Sequence, residues 1–401
     1  MMRRLIITLM LISLGAGAAS AQTPSADWQE TLDQAAGQTV YWNAWGGDAR
    51  TNAFIRWVGE QTKARFDVRI QLVTLTDTAE AVSRVLAEKS AGITANGSVD
   101  LIWINGPNFL AMKDQNLLHG PFVRELPNAR YLDLAPGSAN TVDFTEPVEG
   151  LESPWRLARL VFIYDSARVA KPPQRMADFL PWAKANPGRL THPNPSNFMG
   201  ASFLKQALIE LTDDPDLLQK PATDARFATA TQPLWQWYEA LRPHLWRAGR
   251  AFPANESVQQ QMLSDGEIDI AMAFDPAAAA AGIRQGTLPR SARVFTPEGG
   301  SLGNVSFVAI PFNATHRAGA KVVANFLLKP STQARMQNID VLGAFSVLDP
   351  KRLNDTAQAA FDALPNDPAL PTRAELGPTR VEPHASWMTR LKKAWAERYT
   401  R

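Results

Sequence analysis

Short apolar segments alternate with amphipathic segments along the first third of the chain. Runs of apolar or alternating residues are typical of β-strands, and apolar residues three and four apart are typical of helices. Because strand–helix–strand units connect neighbouring parallel strands, this order predicts an α/β fold with a mostly parallel sheet. We predict strands at 39–45, 67–75 and 99–104, alternating with helices at 50–66, 76–91 and a third helix that ends at 116.

A second set of elements begins near residue 160, which indicates a second lobe. The proline-rich segment 365–383 is expected to be a surface excursion. We predict strands at 160–164, 268–274 and 305–311, and helices at 176–185, 201–211, 235–246, 258–265, 277–281 and 318–328.

The composition excludes several kinds of site. The 401 residues include 41 basic and 39 acidic side chains, and this balance argues against nucleic-acid binding through a basic surface. The chain has no cysteine, so disulfides and thiolate metal sites are excluded. No two of the five histidines lie three to five residues apart, so a local zinc motif is absent. We therefore predict neither a metal nor a cofactor.

The first 21 residues have the features of a cleaved signal peptide. Arg3 and Arg4 precede an apolar run at 5–14, which is too short for a stable membrane span. Small residues at 19–21 provide a cleavage site. The alternative is an uncleaved anchor. We expect export to the periplasm and removal of residues 1–21.

Several blocks in a fixed order carry a family resemblance. The chain resembles the extracellular solute-binding proteins of ABC importers and, more narrowly, their YnjB-type subgroup. The blocks are VYWNAWGGDARTNAFIRWVGEQTKARFDVRI, VDLIWINGPNFLAMKDQNLL, PWRLARLVFIYDSARVAKPPQRMADFL, NPGRLTHPNPSNFMGASFL, LSDGEIDIAMAFDP, GNVSFVAIPFNA and NFLLKPSTQARM.

This resemblance implies the type II periplasmic-binding-protein fold, in which two α/β lobes joined by crossover strands trap a ligand between them. The crossovers are expected near 159–164 and 304–310. The first lobe would then comprise 22–158 with about 309–334, and the second 159–308 with about 335–401. The resemblance also implies a monomer without catalysis. It would deliver a small solute to permease subunits driven by a separate ATPase.

The loop after the first strand is the first candidate for ligand contact, because ligands of open α/β sheets bind beyond the carboxyl ends of strands. Gly46 and Gly47 allow the backbone to approach a ligand, Trp45 offers an apolar face, and Asp48 offers a carboxylate. The alternative is a tight turn in which Asp48 caps the next helix and Trp45 joins the core.

Two further candidates lie near strand ends in the first lobe. Asn105 and Gly106 follow the third strand, in a turn that faces the cleft in the resembled family, although turn chemistry alone explains them equally well. Trp155, just before the first crossover, is suited to stack on a ring or cation, or else to pack the lobes together.

The second lobe is expected to supply the opposite wall. Asn197 and Phe198 lie in a loop before a helix, where an ordinary helix cap is the alternative. Asp275 ends a strand and either caps the alanine-rich helix or meets a cationic ligand. Asn304 begins the second crossover, and its amide is expected to point into the cleft.

A tryptophan and carboxylates together favour an organic cation, such as a thiamine-like or polyamine-like molecule. A tryptophan with asparagines equally suits a sugar or oligosaccharide. A third alternative is a secreted glycan-active enzyme that uses Glu149 and Glu152. The chain has neither a Gly-x-Ser-x-Gly elbow nor a Walker loop.

Overall fold

The computed structural model describes residues 26–372 and 374–400, and the predicted signal peptide at 1–21 lies outside them. The α-helices in this part are α1 Ala26–Ala35, α2 Ala49–Phe66, α3 Ala79–Ser90, α4 Pro107–Asp114, α5 Phe179–Ala185, α6 Phe198–Leu211, α7 Asp224–Leu241, α8 Glu256–Ser264, α9 Ala278–Gln285, α10 Arg317–Leu327, α11 Pro330–Gln337, α12 Asp355–Asp362 and α13 Ala385–Tyr399. The strands are β1 Thr39–Trp45, β2 Arg69–Leu75, β3 Leu101–Ile104, β4 Val142–Asp143, β5 Glu146–Pro147, β6 Glu152–Arg159, β7 Val161–Asp165, β8 Ile270–Ala273, β9 Ala292–Phe295, β10 Ser301–Ala309 and β11 Thr379–Arg380.

The larger sheet is mixed. Its strands follow the order β11, β10, β3, β1, β2, and β6 also pairs with β10. The strands β1, β2 and β3 are parallel, as predicted, and Trp42 pairs with both Leu72 and Leu101. The strand β10 is antiparallel to β3 and to β6. This sheet and the helices on it form the first lobe.

The chain leaves the first sheet at the end of β6 and enters the second sheet through Leu160. There β7 pairs antiparallel with both β8 and β9. The expectation of a mostly parallel sheet therefore holds for β1, β2 and β3 and not for this second sheet, which is antiparallel among the described residues. A short apolar strand buried on both faces has the same pattern in either direction, so only long-range pairing decides its orientation.

Each lobe has its own apolar core. Trp42, Phe54 and Trp155 lie in the first, and Phe162, Phe179 and Phe203 in the second. This separation gives each lobe an independent packing unit, as expected for an α/β fold of two lobes.

The C-terminal part of the chain contributes to both cores. Residues 336–348 pack in the first core, whereas the predicted limits assign everything after 334 to the second lobe. Trp387 and Trp395 of α13 pack in the second core. Segment 365–383 is not wholly a surface excursion, because Glu382 is only 2% exposed.

Candidate functional site

The loop between β1 and α2 is held by the first turn of the helix. Asp48 is the N-cap of α2: its carboxylate accepts hydrogen bonds from the backbone N–H of Arg50 (3.1 Å) and of Thr51 (3.2 Å). The Thr51 hydroxyl also donates to it at 2.7 Å. Burial by itself would raise the pKa of Asp48, but Arg50, these hydrogen bonds and the more distant Arg156 outweigh burial and lower it. Asp48 is therefore ionised at neutral pH.

Trp45, at the end of β1, is partly exposed and does not join the core. Its indole ring lies against Gly47, where a Cβ atom would stand only 2.2 Å from the ring. A Cβ atom at Gly46 would meet Thr74 at 2.6 Å. Both glycines are thus required by local packing.

An ion pair connects the two lobes beside this loop. One terminal nitrogen of Arg156, on β6, donates to both carboxylate oxygens of Asp275, at 3.0 and 3.1 Å. The Arg156 side chain is only 7% exposed and that of Asp275 12%. The guanidinium also lies over the rings of Trp103 (5.2 Å) and Trp155 (5.6 Å). The cation that stacks on Trp155 is therefore Arg156 of the protein itself.

The N-terminus of α8 approaches the same place from the second lobe. Burial, and then the negative charges of Asp275 and Asp48, raise the pKa of Glu256 to about 8, against the opposing effect of Arg156 and Arg50. Glu256 is therefore largely protonated at pH 7. We call Asp48, Arg50, Arg156, Glu256 and Asp275 the interlobe charge cluster.

Two donors in this cluster have no acceptor. The Nη1 of Arg50 and the Nε of Arg156 are buried, and neither has a hydrogen-bond partner among the described residues. Buried polar groups in folded proteins are nearly always hydrogen-bonded, so these atoms point to a missing acceptor.

A second group of predicted residues gathers at the end of β3. Gly106 has a positive φ of 56°, which favours glycine, and its N–H donates to the buried carboxylate of Asp143 at 2.5 Å. The partly exposed side chain of Asn105 has no hydrogen-bond partner within 26–372 and 374–400, so its amide is available to a solute.

A buried lysine lies where Phe144 of the first lobe meets Phe198 of the second. The ammonium of Lys205 lies 4.4 Å from the Phe144 ring centre and 5.1 Å from that of Phe198. It pairs with Glu382 at 2.5 Å, and Glu382 also accepts from the amide of Asn304 at 2.9 Å. Phe198 and Asn304 thus reach the junction, where they contact protein groups.

Two residues that were predicted to contact the ligand have structural roles instead. Trp155 is fully buried and packs edge-on against Trp42 and Trp103, which leaves it no exposed face. Asn197 is the N-cap of α6, accepts from the N–H of Gly200 at 2.9 Å, and so has the capping role that was its alternative.

The two carboxylates considered for a glycosidase lie in different environments. Glu152 is fully buried, whereas Glu149 has a side chain 59% exposed and pairs with Lys113 at 3.2 Å. No group of three or more potential metal-ligating side chains occurs in the part of the chain that is described. Within the same ranges, no helix has both the length and the apolarity to cross a bilayer.

Sequence reasoning missed several residues of the junction. Arg156 stands next to Trp155, but nothing in the pattern shows that its side chain crosses to Asp275. Glu256 and Glu382 occur in ordinary polar segments, and only the folded chain places them against other charges. Only Lys205 could have been noticed from the sequence, because it is a charged residue within the largely apolar helix α6.

Comparison with known proteins gives concordant results. The profile of a family described as bacterial extracellular solute-binding protein matches residues 57–349. Protein YnjB of Escherichia coli (strain K12) is 42% identical over 381 residues, which are 95% of this chain and 96% of that protein.

Solved structures of low sequence identity share the fold. The periplasmic binding protein AfuA from Actinobacillus pleuropneumoniae, with fructose-6-phosphate bound, has a TM-score of 0.62 at 14% identity, over 90% of this chain and 99% of that one. The spermidine/putrescine substrate-binding protein PotD from Streptococcus pneumoniae has a TM-score of 0.62 at 15% identity, over 91% and 100%. The predicted two-lobed fold is confirmed.

Proposed function

Because this chain belongs to the bacterial extracellular solute-binding proteins of ABC transporters, we propose that it is a periplasmic receptor for one small solute. It captures the solute between its lobes and delivers it to membrane permease subunits driven by a separate ATPase. It acts as a monomer after loss of residues 1–21.

The interlobe charge cluster is the observation that carries this proposal. Its members come from the β1–α2 loop, the first turn of α2, the crossover strand β6, the start of α8 and the turn after β8. A solute bound there contacts both lobes at once. Since a ligand shifts a conformational equilibrium by its preference for one state, such contacts favour the closed form that a permease recognises.

We propose an organic cation as the solute. The partly exposed ring of Trp45 suits a cation, and Asp48, three residues further along the chain, is ionised. The cluster holds three carboxyl groups against two guanidinium groups, and Glu256 keeps a proton because burial and the charges of Asp275 and Asp48 outweigh those of Arg156 and Arg50. A bound cation would favour the ionised form of Glu256. Asp275 joins the binding only if Arg156 gives up part of its ion pair.

A sugar is the second candidate, supported by the free amide of Asn105 and the partly exposed ring of Trp45, which lie at the carboxyl ends of the neighbouring parallel strands β3 and β1. The solutes named for relatives differ, since AfuA holds a sugar phosphate and PotD is a polyamine receptor by name. At sequence identities of 14% and 15%, these relatives support a shared fold only. They do not indicate whether the solute is an organic cation or a sugar. The buried position of Glu152 gives the glycan-active enzyme no support.

Native mass spectrometry of freshly purified protein tests the proposal directly. We expect a co-purified small molecule, or a rise in melting temperature on addition of one class of solute, without turnover. Release of sugar from glycans, or tight binding of ATP by the purified protein, would contradict the receptor role.

A further inference from the structure

Arg50 and Arg156 each keep a free donor at the lobe junction. Arg156 is 5% exposed, and while its Nη2 holds Asp275, its Nε has no acceptor among the residues that the structure describes. Arg50 contacts Asp48 through its Nε at 3.8 Å only, and its buried Nη1 has none either. A buried charged donor without an acceptor costs more free energy than a neutral one.

Asp48, Asp275 and Glu256 do not supply the missing acceptors, since neither Arg50 Nη1 nor Arg156 Nε has a hydrogen bond to any described residue. Asp48 already accepts three hydrogen bonds from the first turn of α2. Both oxygens of Asp275 face one nitrogen of Arg156. The unused donors therefore match a group brought in from outside the protein.

A guanidinium presents its N–H groups in a planar fork that fits the oxygens of a carboxylate or phosphate. Two such forks from the same lobe, one on α2 and one on β6, are an arrangement suited to an oxyanion. The partly exposed ring of Trp45 and the negative charge of Asp48, on the adjoining loop, attract the cationic part of the solute, although the hydrogen bonds of Asp48 are taken up by the first turn of α2.

We propose that the solute carries an anionic oxygen group, a carboxylate or a phosphate, which Arg50 and Arg156 bind. This inference rests on the proposed function, and together the two make the solute zwitterionic, with its positive end against Trp45 and its negative end against the two arginines.

Inorganic phosphate and acetate are the probes. Each is titrated into solute-free protein at constant ionic strength, with sodium chloride as the reference, and the melting temperature is recorded. We expect phosphate, acetate or both to raise the melting temperature above the chloride reference. The stronger of the two identifies the kind of oxyanion.

The variant Arg50→Gln should need about tenfold more of that anion for the same rise, since it loses a charge-assisted hydrogen bond. Arg56→Gln is the matched control, because Arg56 lies on the exposed face of the same helix. Arg156→Lys keeps the charge and loses the fork, and should also weaken the response. If Arg156→Lys does not fold, Arg50→Gln decides alone.

No response above chloride, or an equal response in Arg50→Gln and Arg56→Gln, would overturn the inference. If a solute is nevertheless seen by native mass spectrometry, the receptor function stands and only the anionic group is wrong. If native mass spectrometry finds no co-purified solute and no added compound raises the melting temperature, the result counts against the proposed function itself.

Discussion

The hydroxyl oxygen of Ser257 donates a hydrogen bond of 3.0 Å to the carbonyl oxygen of Gly47. Ser257 lies in the first turn of α8 in the second lobe, and Gly47 lies in the β1–α2 loop of the first. The bond therefore crosses the junction directly beside the interlobe charge cluster. Because the bond joins the two lobes, we expect it to contribute to their closure on a solute and not to the stability of either lobe.

Replacing Ser257 by alanine should weaken solute binding about fivefold, since a net hydrogen bond is worth about 1 kcal/mol. The melting temperature of the solute-free protein should change little. Calorimetry with the identified solute measures the effect. Ser264→Ala, at the exposed far end of the same helix, is the control and should bind like the parent. Equal affinity of both variants and the parent would remove Ser257 from the closing contact.

Trp45→Ala should weaken binding of a cationic solute by at least about tenfold, because a desolvated cation over a tryptophan face gains on the order of 2 kcal/mol. Asp48→Asn should weaken cations selectively, and it retains the helix cap because asparagine is as good a cap as aspartate. Calorimetry is the measurement, and Trp182→Ala, a partly exposed tryptophan of the second lobe, is the control. Unchanged binding by Trp45→Ala and Asp48→Asn would contradict this pocket.

Asp275→Asn should lower the free energy of unfolding by about 3–5 kcal/mol, because it leaves the buried guanidinium of Arg156 without its counter-charge. Urea unfolding measures this. The exposed ion pair between Asp340 and Arg284 offers the comparison, and Asp340→Asn should cost less than about 1 kcal/mol. If Asp275→Asn lowers the free energy of unfolding no more than Asp340→Asn does, the Arg156–Asp275 pair does not stabilise the lobe junction.

The raised pKa of Glu256 predicts a pH dependence of stability. In the unfolded chain this carboxyl loses its proton near its ordinary value of 4.5, and in the folded protein at about 8. Between these values the folded state binds more protons, so stability falls as pH rises, by at most about 1.4 kcal/mol per pH unit. The decline should level off above pH 8.

Glu256→Gln should remove this contribution and be more stable than the parent at pH 7–8, with no difference at pH 4. Urea unfolding as a function of pH measures it, and the exposed Glu267→Gln serves as control. Binding of a cation to the parent should also release a proton, which calorimetry in buffers of different ionisation enthalpy detects. A parallel pH profile of Glu256→Gln and the parent would show that Glu256 is ionised throughout.

Export should yield a protein that starts at Gln22, since small residues at 19–21 follow the apolar run. N-terminal sequencing of periplasmic material checks this. A chain that begins at Met1, or stable retention in the membrane, would contradict the cleavage.

Segments with a strong hydrophobic period were predicted well. Segments that mix apolar residues with charged residues and proline were not. The predicted strand at 39–45 coincides with β1, whose β-branched and aromatic residues leave little alternative. The helix predicted at 235–246 is α7, which begins at Asp224 and contains Pro233. β6 was missed because it has Pro154 and three charged side chains, and it becomes a strand through its pairing with β10. Tertiary pairing outweighs local preference there.

The sequence by itself determined the α/β class, the first parallel strands and the loops at which a solute is expected, since these follow from periodicity and turn residues. Only the tertiary structure decided that Arg156 reaches Asp275, that Glu256 lies among carboxylates, and that Lys205 is enclosed by Phe144 and Glu382. The physical reason is the distance along the chain over which each effect acts. Hydrophobic period and turn chemistry act over a few neighbouring residues, whereas a buried charge is defined by the groups that surround it. Folding brings those groups together from separations of 119 residues for Arg156 and Asp275 and 177 for Lys205 and Glu382.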